Sequence, residues 1–297
     1  MMMTENNFSW PDGSKMALSI VVNVEEGAEM NIRDGDPGPE PVDELSSAPR
    51  KPIRMHVSES NYQYGINAGA PRVLQLLKEY QMPATFTAAA LALERAPDLA
   101  SQIIDQGHEV CCHGYRWVMQ YKMNEDQERE FIRKGIDSIT RTCGERPVGW
   151  LSRYMTTDAT RRLLAEEGFE YHMDDFSNDV PFWDSVETHS GENKPIVVLP
   201  YALDTNDMKM WMDPSLQPWD WAKYACDTFD WLHEEAQQQG ARYMSLGVHL
   251  RIIGRPARIT AFKQFLDHVK SKSDVCVMTR RDISRHFAAQ IPAKQTS

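Results

Sequence analysis

"GHEVCCHGYRW" spans residues 107–117 and sets two histidines, a glutamate, two adjacent cysteines and a tryptophan behind a turn glycine. Histidine and cysteine are the usual borderline and soft ligands for zinc, so spacing decides whether this is a metal motif. The stretch from 109 to 114 reads as a strand, entered through Gly107, which ends the helical pattern "PDLASQIIDQG" (97–107). Alternation along a strand sends Cys111 and Cys112 to opposite faces, which makes them a poor chelating pair. His108, beside the turn glycine, reads as a structural histidine completing hydrogen bonds there. His113, at the strand's far end, reads equally as structural or functional.

Working outward, apolar runs bounded by turn signals alternate with helical patterns, the rhythm of repeated βα units. Strands are expected at 17–24, 84–90, 147–152, 171–175, 196–201, 243–249 and 274–279, and helices at 69–80, 124–142, 157–168, 218–239 and 256–272, with a short one closing the chain. Alternation on this scale predicts an α/β fold, a single (β/α)-barrel domain over 1–297, regular or distorted. The exception is residues 27–68, rich in Gly, Pro, Asp and Glu, which read as a long loop insertion after the first strand. Long loops of this kind serve as lids or subunit contacts.

Composition narrows the function. The 297 residues carry a net charge of -11 with no concentrated basic run, which argues against nucleic acid or an anionic membrane as partner. "MMMTENNFSWPDGSK" lacks the basic-then-apolar order of a signal peptide, and no apolar run approaches a bilayer span, so a cytoplasmic location is expected. Five cysteines are odd in number and too sparse for a disulfide framework, which fits reduced thiols.

In a parallel barrel the chemistry gathers at the C-terminal ends of the strands, because the βα loops converge there. The strand map therefore collects Asn23, Glu25 and Glu26 from "NVEEG", His113 and Trp117 from "CCHGYRW", and Ser152 and Arg153 from "GWLSRY". To these it adds Asp174 and Asp175 from "YHMDD", Tyr201, Asn206 and Asp207 from "LPYALDTND", and His249 and Arg251 from "LGVHLRIIGRP". Each has a plainer reading. Glu25 and Glu26 could be solvated turn residues before Gly27, His249 a satisfied core histidine, Asp174 and Asp175 loop caps, and Arg153 a surface partner of one of them. The tryptophans from 211 to 231 read as core or interface aromatics rather than a sugar platform.

The order of these pieces resembles the polysaccharide-deacetylase (NodB-type) superfamily of distorted (β/α) barrels. There an acidic pair follows the first strand, a glycine-histidine-glutamate turn leads to a histidine motif, and a leucine-histidine strand end lies near the C-terminus. "NVEEG", "ESNYQYG" (59–65), "HGYRW", "PYALDTNDM" and "HLRIIGRP" are most similar to the branch of metal-independent allantoinases and cyclic imide hydrolases. The resemblance also carries a departure. Typical deacetylases bind zinc or a similar ion through an aspartate and two histidines four positions apart, whereas here Trp117 stands four after His113 and the acidic pair is glutamate. Indole cannot ligate a metal, since its N–H is only a donor. Glu26 and His113 alone are too few for an ordinary zinc site, although His249 or Asp175 could complete one.

The resemblance therefore implies a hydrolase that opens a cyclic amide C–N bond in an imide or a ureide such as allantoin, with no cofactor. Zinc and deacetylation of an N-acetylated sugar or peptidoglycan stand as the alternative, and a non-catalytic barrel as a third. Hydrolysis needs an activated water, oxyanion stabilisation and a proton for the departing nitrogen. Glu25 or Glu26 is expected to be the base, His113 to position water or donate to the oxyanion, and His249 to be the acid. Arg153 and Arg251 are expected to orient carbonyl oxygens, Glu59, Tyr201 and Asn206 to bond the ring, and Trp117 to wall it. The resemblance also implies a homo-oligomer, with a tetramer expected.

Overall fold

A computed structural model describes residues 8–42, 44, 45, 49 and 51–294. Nine strands form one sheet: β1 (Met16–Val24), β2 (Thr85–Ala88), β3 (Glu109–Cys112), β4 (Gly149–Trp150), β5 (Tyr171–His172), β6 (Phe182–Glu187), β7 (Asn193–Val198), β8 (Arg242–His249) and β9 (Val275–Val277). Their order is β6-β7-β5-β4-β3-β2-β1-β8, with β9 also on β1. All neighbours are parallel except β6 with β7. Helices between the parallel strands cover the outside, which gives the expected distorted (β/α) barrel.

The β1 strand is buried at every position, as a parallel strand covered on both faces must be. One of its edges pairs with β8 along Met16–Asn23, and the other is shared, with β9 at Met16–Leu18 and β2 at Val21–Val24. Among the described residues β7 and β8 do not pair with each other, and Arg280 lies between them. This fully buried guanidinium donates from Nη1 to the Leu199 carbonyl (2.7 Å) and from Nε to Ser19 Oγ (3.0 Å), and reaches Ser245 Oγ through Nη2. It thereby ties β1, the exit of β7 and β8 across the gap.

Several boundaries differ from the sequence reading. The stretch expected to be one long loop from 27 to 68 contains a helix, His56–Tyr64, followed by a wide helical turn, Gly65–Gly69, that runs into the helix Ala70–Tyr80. Its sequence "HVSESNYQY" is polar because only Ser58 and Tyr62, four apart, are buried. The expected strand at 84–90 ends at Ala88, and Ala90–Arg95 is a separate short helix. The β6 strand was absent from the reading. Among the described residues no helix is long and apolar enough to cross a membrane.

Candidate active site

Because β1, β3, β4, β5, β7 and β8 run the same way, their C-terminal ends face one rim. Asn23 lies level with His249 across the β1–β8 pair and with Thr87 across the β1–β2 pair. A cavity of about 690 Å³ opens at this rim, lined at its inner end by the buried Asn23, Glu25, His113, Trp117, Tyr201 and His249.

Glu25 follows β1 directly and is 1% exposed. Its Oε2 accepts from Arg251 Nη1 at 2.6 Å, and its Oε1 lies 3.3 Å from His249 Nε2 and 3.8 Å from His113 Nε2. Burial pushes the carboxyl up, but the charges of Arg251 and His249 outweigh it and hold the group well below the usual carboxylate range. His249 closes β8, where Asp207 accepts twice: Oδ2 from the His249 backbone N–H at 2.8 Å and Oδ1 from ring Nδ1 at 2.7 Å. Burial lowers this imidazole, and the charges of Glu25 and Asp207 reverse the effect, raising it to about 9. At neutral pH the pair is therefore an ionised carboxylate facing a protonated imidazole whose Nε2–H points toward it.

His113 closes β3. Its Nδ1 lies 2.6 Å from the Leu151 carbonyl, which only accepts, so Nδ1 carries the proton and Nε2 is left as an acceptor. The Trp117 indole donates to that nitrogen at 3.2 Å. Tyr201 has its hydroxyl oxygen fixed by amide donors from Asn23 (3.2 Å) and Asn206 (3.0 Å). Among the described residues its own proton has no acceptor, and burial raises the phenol above its ordinary value, so it stays a neutral donor. This contact requires Gly247 on β8, because any Cβ there would collide with the Tyr201 hydroxyl.

Other expected site residues lie outside the cavity or are already engaged by protein groups. Glu26, although adjacent to Glu25, turns away from the cavity and accepts from the backbone N–H groups of Glu25 and Arg251, each at 3.0 Å. Burial raises its carboxyl, and Gly65 is required beside it because a Cβ there would meet the carboxylate. Arg251 lies behind Glu25, with its guanidinium 4.5 Å from the Tyr62 ring centre, and is not part of the cavity wall. Arg153 is in the wall, but its terminal nitrogens are held by Glu40 (2.5 and 2.9 Å) and the Trp117 carbonyl (2.6 Å), over the Trp117 ring at 3.7 Å. Glu59 lies outside the cavity and pairs with Arg54 at 2.7 Å. Asp175 caps its own loop through Ser177, and His108 accepts from Ala84 N–H at 3.2 Å, a structural role. Glu40, whose residues on either side carry no site signal, was missed by the sequence reading.

The donor set does not fit a divalent ion. The imidazole nitrogen that would bind one is capped by the Trp117 N–H, and Glu25 is committed to Arg251 and His249. Among the described residues no group of three or more His, Cys, Asp or Glu side chains is placed to hold a metal.

The polysaccharide deacetylase family model matches residues 56–172. A Schizosaccharomyces pombe protein assigned by name to polysaccharide deacetylases is 31% identical over 96% of this chain and 94% of its own. The chain belongs to the polysaccharide deacetylase family. Within this family of hydrolases its likenesses diverge. A crystal structure from Pseudomonas aeruginosa PAO1, again assigned by name to polysaccharide deacetylases, superposes with TM-score 0.90 at 38% identity, covering 96% of this chain and 95% of that one. The crystal structure of Puue allantoinase superposes equally well, with TM-score 0.90 at 40% identity over 96% of this chain and 94% of that one.

Proposed function

We propose that this family member hydrolyses a C–N bond of a cyclic amide, an imide or a ureide, without a metal ion. The observation that carries the proposal is the indole N–H of Trp117 on His113 Nε2, beside an ionised Glu25 and a protonated His249. Glu25 Oε1 takes the proton of a water as that water attacks a ring carbonyl. The developing oxyanion is met by the Tyr201 hydroxyl, a donor whose proton has no acceptor among the described residues. His249, at about 9, passes its Nε2 proton to the departing nitrogen. Glu25 then returns the water's proton to the imidazole 3.3 Å away, which restores the starting state.

Such a site has no Lewis acid, so the substrate must bring electrophilicity of its own. A cyclic imide or ureide does so, because two carbonyls flank one nitrogen and the leaving group is a comparatively stable anion. The likeness to an allantoinase at 40% identity supports this substrate class. The second reading, metal-dependent deacetylation of an acetylated sugar, is favoured by the names of two relatives and opposed by the donor set. A panel of succinimide, phthalimide, allantoin and acetylated chitooligosaccharides, assayed with and without chelator, separates them. Chelator-insensitive opening of a ring is expected, and zinc-restored deacetylation would overturn the proposal. Glu25→Gln keeps the shape and removes the base, so turnover should fall by at least about 100-fold while ligand binding survives. Full activity in that variant would remove Glu25 from the mechanism.

A further inference from the structure

The cavity is far larger than the reaction needs. At about 690 Å³ it lies in the range that buries drug-sized ligands, whereas a lone imide ring would fill only its inner end. The two ends also differ in character. The reacting groups at the inner end are almost completely buried, while the outer wall presents Tyr154, Phe176, Leu203 and Met212, which are 53%, 54%, 51% and 44% exposed. Large apolar side chains left in water around one opening mark a surface that something apolar covers.

The outer wall also carries two cations, and they differ. Arg161 is paired with Asp184 at 3.1 Å and with Asp175 at 3.5 Å. Lys209 sits half-buried in the turn Asp207–Met210, and its ammonium has no hydrogen-bond or ion-pair partner among the described residues. A lysine in a concave, mostly apolar wall with no carboxylate beside it is a natural place for a ligand's anionic group.

Resting on the cyclic-amide reading of the inner end, we infer that the substrate is a ring bearing a bulky apolar arm that ends in a carboxylate. The ring reaches Glu25 and His249, the arm lies along Tyr154, Phe176, Leu203 and Met212, and the carboxylate meets Lys209. The outer wall sets specificity through binding energy away from the reacting atoms, which an enzyme can direct to orienting the ring.

The test compares kcat/KM for succinimide, phenylsuccinimide and (4-carboxyphenyl)succinimide in the wild-type protein, Lys209→Gln and Phe176→Ala. The phenyl ring should raise kcat/KM by about tenfold or more, and the carboxylate by a further about threefold to tenfold. Lys209→Gln should erase only the carboxylate increment and Phe176→Ala should shrink the phenyl increment, with succinimide turnover unchanged in both. Equal kcat/KM for all three rings, or increments unaffected by either variant, would overturn the inference while leaving the reaction assigned. A Phe176→Ala protein with unchanged increments but a smaller mass in solution would identify the apolar wall as a contact between copies instead. Failure of every cyclic amide, succinimide included, would remove the underlying reaction and this inference with it.

Discussion

Asp207→Asn gives the sharpest test of the mechanism, because it alters one charge without touching the cavity's reacting atoms. Asp207 accepts from His249 through both oxygens, at 2.7 and 2.8 Å, and an asparagine can still accept on one of them. What it loses is the negative charge and one of the two acceptors. With charge centres about 4 Å apart and an effective dielectric of about 20, that charge favours the imidazolium by about 4 kcal/mol, or about three pKa units as an upper bound. Glu25 remains at 3.3 Å and supplies part of the field, so a fall of about one to three units is expected. The sign follows from the role. In the proposed mechanism His249 is the acid, so activity is expected while it is protonated and is lost as pH rises through about 9. In the variant the alkaline limb of kcat/KM should move to between about pH 6 and pH 8, with the rate on the acid side close to wild type. Stability shifts in the same sense: a histidine whose native value, about 9, exceeds its unfolded value stabilises the fold fully below about 6.5 and progressively less up to about 9. A pH profile of kcat/KM with far-ultraviolet circular dichroism as a folding control makes the comparison. An alkaline limb that stays at about 9 in a folded variant would refute both the protonated state of His249 and its service as the acid.

Trp117→His replaces the indole cap on His113 with a second imidazole four positions on, and is expected to create zinc retention through dialysis, while the wild-type protein's activity stays indifferent to chelator; elemental analysis reads it, and equal retention by both proteins would count against the capped-nitrogen argument. Gly247→Ala drives a Cβ into the Tyr201 hydroxyl and to 2.8 Å from Asn206 Nδ2, so kcat should fall by about 10-fold to 100-fold with a smaller change in KM, measured by steady-state kinetics. Glu40→Ala leaves the Arg153 guanidinium, 2% exposed, without its carboxylate in the core. That should cost about 3–5 kcal/mol and appear as a clear fall in the denaturant midpoint, with the matched change Glu40→Gln intermediate.

Which parts of this molecule were legible in its sequence follows from how each part is held. The β1 and β8 strands announce themselves as apolar runs because each is covered on both faces. The β6 strand does not, since "FWDSVE" is half-exposed along an antiparallel edge and its alternation is weak. Strand-end reasoning grouped Glu25, His113, Tyr201, Asn206 and His249, and all five line one cavity because parallel register fixes which end each residue occupies. It could not separate Glu25 from Glu26, because beyond a strand's last residue the side-chain direction depends on the turn. That turn is set by contacts distant in sequence, with the Arg251 N–H and the bare backbone at Gly65. Arg153 and Arg251 show a related limit. A guanidinium at a strand end is visible in the sequence, but whether it faces a ligand or a buried carboxylate depends on Glu40 and Glu25, which reach them from 113 and 226 residues away. Asp207 shows the limit most clearly: its position on the rim was legible, yet the 2.7 Å contact through which it joins Glu25 in raising His249 to about 9 was not. The protons at this rim are thus fixed by partners such as Trp117 and Asp207, whose places were legible in the sequence but whose contacts with His113 and His249 were not.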